Sequence, residues 1–487
     1  MLFVALTHHT FLFGVLLVLF VIKGFFLVLL FPFFQQPDEQ IHYATVQHWA
    51  EPTIKNWKID QQGKVINNDL SDISTYRLTE ETIQVAEKTQ FDEIKFQKEN
   101  TQHFSNNSAG PFESEILTNN WNSYVEFESN NVSGTWSTYY WIGAHIERLL
   151  SEQNLLLRFY SSRSVSIAIG SLIVLLSYCI ARKAGLSSFG SLGLAGMVAF
   201  QPMFAATAAQ VNIDIALIFS FSLYTLAATL LLKHGINWKF SLLLLLSILL
   251  GLASKGPGLV LVGVSLPLFL YLTYQKLQIG LQKFSFIVAL VGLASIICAA
   301  LFIPASYFAS ITHLSTSSMF PSVADSLLQY TEKAHTVAYF FDMHASYWGN
   351  FGWLDTRLNV HLLSFIAALE LIGVFGLLWY LLGKEVRPWL LEKKYLWFFL
   401  TLSLSLQLAI RFFDWRMFDM TGTIIISPMG RYYLPNIIPH LLLVINGLGF
   451  FMKNRRQFER LILWLSIGMV LLSLYSIFFV IIPRYYL

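Results

Sequence analysis

Long apolar runs separated by short polar links constrain the fold of this chain more than any other feature. We count about eleven runs whose length is close to that of a helix crossing a bilayer. They cover residues 11–34, 165–180, 189–208, 213–232, 240–253, 258–274, 284–303, 358–382, 395–410, 432–452 and 461–482. Of the 487 residues, 55% are hydrophobic and 13% are charged. Soluble proteins carry about twice that share of charge. The sequence therefore predicts an all-α polytopic membrane protein.

Basic residues predict how the helices are oriented, because links rich in Lys and Arg stay on the cytoplasmic side. They fall in alternate short links, which place the N-terminus in the cytoplasm and the C-terminus outside. These links contain Arg182 with Lys183, Lys233 with Lys239, Lys276 with Lys283, Lys384 to Lys394, and Lys453 to Arg460. The first run lacks a basic start and a small-residue cleavage site, so we expect an uncleaved signal-anchor in the inner (cytoplasmic) membrane.

The same pattern predicts three regions. They are a first transmembrane helix and signal-anchor at 1–34, a large extracytoplasmic loop with interfacial helices at 35–163, and a multi-span domain at 164–487 whose second outer loop covers 304–357. The role of loop 51–131 is left open by its sequence.

Two further features of composition limit the function. Tyr139, Tyr140 and Trp141 lie in an amphipathic stretch, which predicts a helix lying on the lipid headgroups. Both cysteines, Cys179 and Cys298, lie in apolar runs and are interpreted as packing residues. The net charge of +3 gives no indication of nucleic-acid binding.

A short motif follows the first apolar run and carries the first candidate site residues. Pro37 ends the run, and Asp38, Glu39 and His42 come directly after it. In a helix that starts here, Asp38 and His42 would share one face at a spacing of four residues. Taken alone, the motif is more typical of an acidic helix start than of a site, because capping acids are common.

Three other ionisable residues are predicted to lie at the same membrane depth. Asp214, Lys255 and Arg431 come from separate outer turns, with Asn212 and Tyr432 beside them. Each has a simple explanation by itself: a helix cap, a lysine that reaches to headgroups, and an arginine anchored on lipid phosphate. Together with Asp38, they indicate one cavity, since ionisable groups are costly at membrane depth.

The residue types indicate two kinds of chemistry. A carboxylate such as Asp38 can act as general base on a sugar hydroxyl, and a Lys or Arg can stabilise a phosphate leaving group. Alternatively, Asp38 and Asp214 could bind Mg²⁺ or Mn²⁺, because hard divalent ions prefer carboxylate oxygens. The sequence leaves both options open for Asp214.

Five motifs in order resemble a bacterial polytopic family catalogued as a predicted membrane protein of unknown function. That family is placed in the GT-C glycosyltransferase superfamily. The matching segments are Pro37-Asp38-Glu39-x-x-His42, Val211 to Asp214 after Phe200-Gln201-Pro202, Leu252 to Gly258, Tyr347 to Asp355, and Gly430-Arg431-Tyr432-Tyr433-Leu434-Pro435. One departure is Thr135 to Thr138, where the family tends to have His-Pro-Pro before its paired tyrosines.

The resemblance implies a GT-C-like glycosyltransferase that takes a sugar from a polyprenyl-phosphate donor on the outer membrane face. The acceptor would be a cell-surface glycan or a lipid-linked molecule. It implies catalytic roles for Asp38, Glu39 and His42. Donor phosphate binding falls to Lys255, Arg431 and Tyr432, and acceptor or metal contacts to Asn212, Asp214, Trp353 and Asp355. The alternative is a transporter or flippase of lipid-linked sugars, since buried charges and broken helices also serve transport.

Overall fold

The computed structural model describes residues 2–50, 137–277, 321–334, 336–424 and 429–487, together with parts of 58–97 and residues 124–129. Within these residues the protein is a bundle of α-helices with three two-stranded antiparallel sheets. The sheets pair β1 (Lys58–Ile59) with β2 (Val65–Asn67), β3 (Thr75–Thr79) with β4 (Tyr124–Ser129), and β5 (Asn350–Phe351) with β6 (Thr356–Arg357). In the last hairpin Asn350 is paired with Arg357 and Phe351 with Thr356.

The helices are numbered in chain order. The first half of the chain forms α1 (Leu2–Leu30), α2 (Glu39–Ala50), α3 (Phe91–Ile94), α4 (Thr138–Leu149), α5 (Leu155–Ala184), α6 (Ser188–Phe200), α7 (Pro202–Thr207), α8 (Asp214–His234), α9 (Trp238–Leu252) and α10 (Leu259–Leu277). The second half forms α11 (Val323–Ala334), α12 (Val337–Trp348), α13 (Val360–Leu382), α14 (Lys393–Thr421), α15 (Ile437–Phe450), α16 (Arg455–Ser476) and α17 (Ile482–Tyr486). Short 3₁₀ segments, Gly256–Gly258 and Gly430–Asn436, precede α10 and α15, and a π-helical turn, Ile477–Ile481, joins α16 to α17.

Eight helical segments of the described residues are long and apolar enough to cross a membrane. They correspond to eight of the predicted runs, so the prediction of an all-α polytopic membrane protein is confirmed. The runs at 189–208 and 240–253 form the shorter apolar helices α6 and α9. The run at 284–303 lies outside the described residues, and the count of eleven stays a prediction.

The break between α6 and α7 has a local cause in the sequence. Pro202 lacks an amide hydrogen, so α6 ends before it and α7 starts with it in the first turn. The Gln201 side chain accepts from the backbone amide of Phe204 and donates to the carbonyl of Tyr347 at 2.7 Å. This break leads the chain into the turn before α8.

The aromatic helix α4 differs from the prediction. Tyr139 and Tyr140 are buried at 1% and 0% exposure and face the protein, whereas Trp141 is exposed. The reason is that α4 packs on α2, and the buried Glu147 of α4 accepts from Tyr43 of α2 at 3.0 Å. Glu147 also pairs with Arg158 of α5 at 2.5 Å. Helix α4 therefore packs against the helix bundle. The sequence pattern had predicted instead that its tyrosines contact the lipid headgroups.

Helices α13 and α15 pack closely because glycines face each other. A Cβ added at Gly447 would overlap the carbonyl oxygen of Gly373, and one at Gly376 would overlap that of Gly447. Small residues at this spacing let the backbones of membrane helices approach. The contact fixes α15, which follows the segment carrying Arg431.

We expect Gly447→Ala to lower the free energy of unfolding by about 1–3 kcal/mol, the usual cost of overpacking a tight contact. Thermal unfolding of the detergent-solubilised protein measures this. Gly468→Ala is the matched control, because a Cβ at Gly468 meets nothing within 4 Å. Equal midpoints for the two variants would contradict the close approach.

Candidate functional site

Four charged residues from separate parts of the chain form two ion pairs at one end of the bundle. Arg431 donates from Nη2 to Oδ2 of Asp38 at 2.7 Å. Lys255 donates from Nζ to Oδ1 of Asp214 at 2.6 Å. The side chains of Asp38 and Lys255 are 42% and 32% exposed, whereas those of Asp214 and Arg431 are 9% and 4% exposed. The pairs thus lie at an opening of the bundle.

His42 joins the two pairs, and we call Asp38, His42, Asp214, Lys255 and Arg431 the charged cluster. All four charged groups contribute to the electrostatics of the His42 ring. Burial lowers the pKa of His42 to about 4, against the opposing effect of the two carboxylates. The imidazole is therefore neutral at pH 7.

Tyr140 fixes the His42 ring from the side of α4. Its hydroxyl lies 2.6 Å from Nδ1 of His42, and both residues are buried. Burial raises the pKa of Tyr140 well above its ordinary value, so the hydroxyl keeps its proton. Tyr140 was not among the predicted site residues.

An aromatic ring connects the two cations. The Lys255 ammonium lies 4.5 Å from the centre of the Tyr432 ring, and the Arg431 guanidinium carbon lies 5.2 Å from it. Tyr432 therefore sits between them as a cation–π platform, which is worth more when the cation is desolvated. Lys255 caps the 3₁₀ turn Gly256–Gly258, and Arg431 lies within the 3₁₀ segment Gly430–Asn436. These two turns bring the cationic side chains together.

The backbone of Asp38 is in the left-handed region, with φ of 62°. Asp and Asn are among the few residues that adopt this conformation readily. Its carbonyl accepts from the amides of Ile41 and His42 at 3.1 Å and so starts α2, while its carboxylate binds Arg431. The carboxylate of Asp38 thus faces the charged cluster and does not act as the helix cap.

Electrostatics keep the exposed members of the cluster charged. Burial by itself raises the pKa of Asp38, but the positive groups around it, Arg431 first, together outweigh burial, and the pKa is lowered. For Lys255, burial acts to lower the pKa, but the Asp214 carboxylate and Tyr432 together outweigh burial, and the pKa is raised. Near neutral pH the cluster therefore holds two carboxylates and two cations around a neutral imidazole.

The buried His42 predicts an acid-sensitive stability. An unfolded His titrates near 6.5, so folding disfavours its protonation, and stability present above pH 6.5 is lost as the pH falls towards 4. We expect this residue to account for about 3 kcal/mol of that loss. Thermal unfolding of wild type and His42→Gln between pH 7 and pH 4 measures it, because glutamine can still bond Tyr140. Parallel pH profiles for the two proteins would refute the contribution.

Arg431 has unused donors. Its Nη2 binds Asp38, whereas Nε and Nη1 are buried and have no hydrogen-bond partner among the described residues. Buried polar atoms normally find a partner, and a guanidinium presents its donors in a fork that matches phosphate oxygens. The arrangement is therefore suited to binding an anion.

Glu39 lies apart from this cluster, although it is adjacent to Asp38 in sequence. Arg163 donates to both of its oxygens, at 2.8 and 2.7 Å, and both side chains are fully buried. The amide of Val211 donates to the same carboxylate at 3.0 Å. Arg163 also binds the carbonyls of Val28, Phe31 and Pro32 near the end of α1. The position of Glu39 therefore indicates a structural role, in which it connects the start of α2 to α5 and to the turn before α8.

The other predicted residues fall into two places. The side chain of Asn212 accepts from the amide of Asp214 at 2.6 Å and thus shapes the turn before α8. Trp353 and Asp355 lie on the β5–β6 hairpin: Trp353 donates to the carbonyl of Phe34 at 3.1 Å, and Asp355 pairs with Arg484 at 3.0 Å. Neither hairpin residue contacts the charged cluster in the hydrogen bonds and ion pairs of the described residues.

The arrangement fits a divalent metal poorly. The carboxylates of Asp38 and Asp214, which were predicted as possible ligands for Mg²⁺ or Mn²⁺, each hold a cation of the protein itself. The part of the chain that the structure describes has no group of three His, Cys, Asp or Glu side chains arranged to hold a metal ion. Nearby positive charge opposes the binding of a second cation.

A second cluster of ionisable side chains, which the sequence analysis did not predict, is centred on Glu370 of α13. Glu370 accepts from His344 at 3.1 Å and His440 at 3.0 Å, and from the Trp348 indole at 3.2 Å. Tyr347 lies 2.8 Å from the other nitrogen of His440. The signal for this group was Glu370 itself, a carboxylate inside an apolar run.

The fold and the site together define a polytopic α-helical membrane protein with paired carboxylates and cations at one end of its helices. The chain belongs to the DUF2142 family, described as a predicted membrane protein, whose profile matches residues 19–441. A search of curated proteins and a search of solved structures each gave no match.

Proposed function

We propose that the protein is a membrane glycosyltransferase that moves a sugar from a polyprenyl-phosphate donor to a cell-surface glycan or lipid-linked acceptor. On this proposal the chain has about eleven membrane helices in a GT-C-like arrangement. The N-terminus lies in the cytoplasm and the charged cluster faces the outer side of the inner membrane, as the distribution of basic links favours. The likeness to GT-C enzymes is an analogy at the level of the fold.

The observation that carries the proposal is the state of Arg431. The buried guanidinium binds Asp38 through Nη2, and its other two nitrogens, Nε and Nη1, have no hydrogen-bond partner among the described residues, so it can bind an anion. Lys255 lies across the same aromatic ring and adds a second positive charge. An anion at the edge of a membrane bundle can be the phosphate of a lipid, whose hydrocarbon tail stays among the helices. A sugar phosphate on a lipid combines both features.

The chemistry follows from these positions. The acceptor hydroxyl oxygen forms a bond to the anomeric carbon of the sugar, while the bond from that carbon to the phosphate oxygen breaks. Asp38 takes the hydroxyl proton as general base. The negative charge that grows on the departing polyprenyl phosphate is held by Arg431 and Lys255. A phosphate bound to Arg431 also offsets the guanidinium charge that lowers the pKa of Asp38, which makes the Asp38 carboxylate a stronger base.

The remaining cluster residues act by positioning. Tyr140 orients the neutral His42 ring, which faces both carboxylates and can bond the acceptor through Nε2. Asp214 holds Lys255, and Tyr432 supports both cations. Since each carboxylate already has a cation, we propose that transfer needs neither Mg²⁺ nor Mn²⁺. Glu39 maintains the geometry through Arg163.

The experiment is sugar transfer by the purified protein in proteoliposomes, with a panel of polyprenyl-phosphate sugars and an extract of surface glycans. We expect one donor to be consumed, with its sugar recovered on the acceptor, and the same rate in EDTA. Loss of transfer in EDTA that Mg²⁺ restores would overturn the metal-free mechanism.

Replacing Arg431 tests the phosphate site. Arg431→Lys keeps the charge but loses the fork, so we expect the KM for the donor to rise about 10- to 100-fold, the range for losing a hydrogen bond to a charged group. Steady-state transfer kinetics measure this. Arg416→Lys is the control, because Arg416 also pairs with one aspartate, Asp419, at 3.3 Å. An unchanged KM in Arg431→Lys would contradict the assignment.

A further inference from the structure

Two adjoining cavities lie between α13 and α16, outside the charged cluster. One has a volume of about 560 Å³ and is lined mainly by the first half of α13, by α15 and by the second half of α16. The other has a volume of about 410 Å³ and is lined by β6, the residues just before α13, and the π-helical turn after α16. Tyr475 lines both cavities. Besides sharing Tyr475, their linings come close in the chain at Asn359 and Leu362, so we treat them together as the α13–α16 cleft.

The deeper part of the cleft is apolar and faces lipid. Its walls include Phe365, Leu369 and Leu471, and among the described residues Glu370 is the one acidic or basic side chain that lines it. Phe365, Leu471 and Trp464 remain 62%, 60% and 68% exposed, although their helices are candidate membrane spans. In a bilayer, such a cavity is filled by hydrocarbon. Its size is in the range of cavities that bind small organic ligands.

The shallower part is polar and offers both donors and acceptors. Asp355 accepts from Arg484 and from the Thr356 hydroxyl at 2.9 Å. Arg357 contributes a guanidinium that is 41% exposed, and Asn359 an amide. A carboxylate beside guanidinium, amide and hydroxyl groups suits a ligand whose own groups both donate and accept. Sugar hydroxyls have this property, whereas a bare phosphate only accepts and would meet Asp355 unfavourably.

We infer that the α13–α16 cleft binds a glycolipid, with its hydrocarbon chain in the apolar part and its saccharide head in the polar part. The order of the two parts along both helices matches the order of chain and head in a membrane lipid. If the proposed function holds, on which this last step rests, the bound glycolipid is the acceptor.

The β5–β6 hairpin contacts both this cleft and the segment that leads into the charged cluster. It carries Asp355 in the cleft, and its Trp353 donates to the carbonyl of Phe34, four residues before Asp38. A Cβ at Gly352 would overlap the Tyr485 hydroxyl, so the hairpin lies directly against the end of the last helix. A saccharide head bound at the hairpin therefore lies on the same side of the protein as the segment from Phe34 to Asp38.

The test uses dodecyl maltoside with a photoactivatable diazirine in its alkyl chain, added to the protein in phosphatidylcholine nanodiscs. We expect saturable crosslinks to peptides from α13 and α16. Unlabelled dodecyl maltoside should compete about tenfold better than dodecylphosphocholine, because the latter lacks a saccharide head. Free maltose should not compete, because it lacks the alkyl chain. Equal competition by dodecylphosphocholine, or crosslinks spread over all spans without saturation, would overturn the inference.

Two variants with matched controls separate the parts of the cleft. Gly468→Leu fills the apolar cavity, since a Cβ at Gly468 meets nothing within 4 Å, and we expect affinity for the probe to fall about tenfold. Gly263→Leu places the same side chain at an equally open position on α10 and should leave affinity unchanged. Arg357→Ala should weaken binding, whereas Asp342→Asn, which alters only the partner of Arg357, should not.

The outcomes distinguish this inference from the proposed function. Crosslinking does not depend on sugar transfer. Saturable labelling of a protein that transfers no sugar would therefore support glycolipid binding in the cleft and contradict the transferase function. If Gly468→Leu transfers sugar to a glycolipid at the wild-type rate, and α13 and α16 are not labelled, the cleft is not the glycolipid site. The transferase function would then still stand.

Discussion

Asp38→Asn is expected to lower the turnover number for sugar transfer by about 10²- to 10⁴-fold, the range for losing a general base. The amide keeps the size of the carboxylate and can still accept from Arg431, but it takes no proton from the acceptor. Asparagine also tolerates the left-handed backbone at this position, where φ is 62°, so the variant should fold. Rates at saturating donor, together with an unchanged thermal midpoint, measure the effect.

Asp419→Asn is the matched control for that result. Asp419 is an aspartate paired with an arginine, as Asp38 is, but it lies on α14 and its partner is Arg416 rather than Arg431. We expect its turnover number to equal that of wild type. A full rate in Asp38→Asn would show that another group takes the proton, and Asp214 would be the next candidate, since Glu39 is enclosed by Arg163.

Arg163→Met is expected to lower the free energy of unfolding by about 3–5 kcal/mol, the cost of leaving a buried charge without its partner. The variant leaves the Glu39 carboxylate uncompensated at 0% exposure. It also removes the donors that satisfy the Val28, Phe31 and Pro32 carbonyls. Chemical or thermal unfolding in detergent measures the loss.

The double variant Glu39→Gln/Arg163→Met tests the cause. Replacing both partners removes the buried charge altogether, so we expect it to be more stable than Arg163→Met alone. Additive losses from the two single changes would show that the residues act independently, and the structural role of Glu39 would then be wrong.

The length of the apolar runs was enough to predict an all-α polytopic membrane protein. The runs and the basic residues between them also placed Asp38, Asp214, Lys255 and Arg431 at one depth, and the structure brings these four together as two ion pairs. This success has a physical basis, because the cost of charge in hydrocarbon confines such residues to few places.

Partners that are distant in the chain could not be predicted in this way. Glu39 and Asp38 are neighbours, yet successive side chains at a helix start point in different directions, and only the fold shows that Arg163, 124 residues away, encloses Glu39. Tyr140 reaches His42 across 98 residues for the same reason. Periodicity predicted that α4 is amphipathic but not that its buried face meets α2.

The Trp353 and Asp355 predictions illustrate a third case. In the structure, the segment between the two strands carries both residues on the β5–β6 hairpin. No sequence pattern assigns that hairpin to the charged cluster or to a separate cavity. The ion pair with Arg484, which lies near the other end of the chain, places Asp355 in the α13–α16 cleft.

The most direct test of the central claim follows the fate of the sugar label. Proteoliposomes receive a polyprenyl-phosphate donor labelled in its sugar, with a surface-glycan acceptor, and the label is located with time in wild type and Asp38→Asn. The proposed transferase predicts that label leaves the lipid and appears on the acceptor with wild type only. Label that stays on the lipid and changes leaflet, equally in both proteins, would contradict it and establish a transporter of lipid-linked sugars.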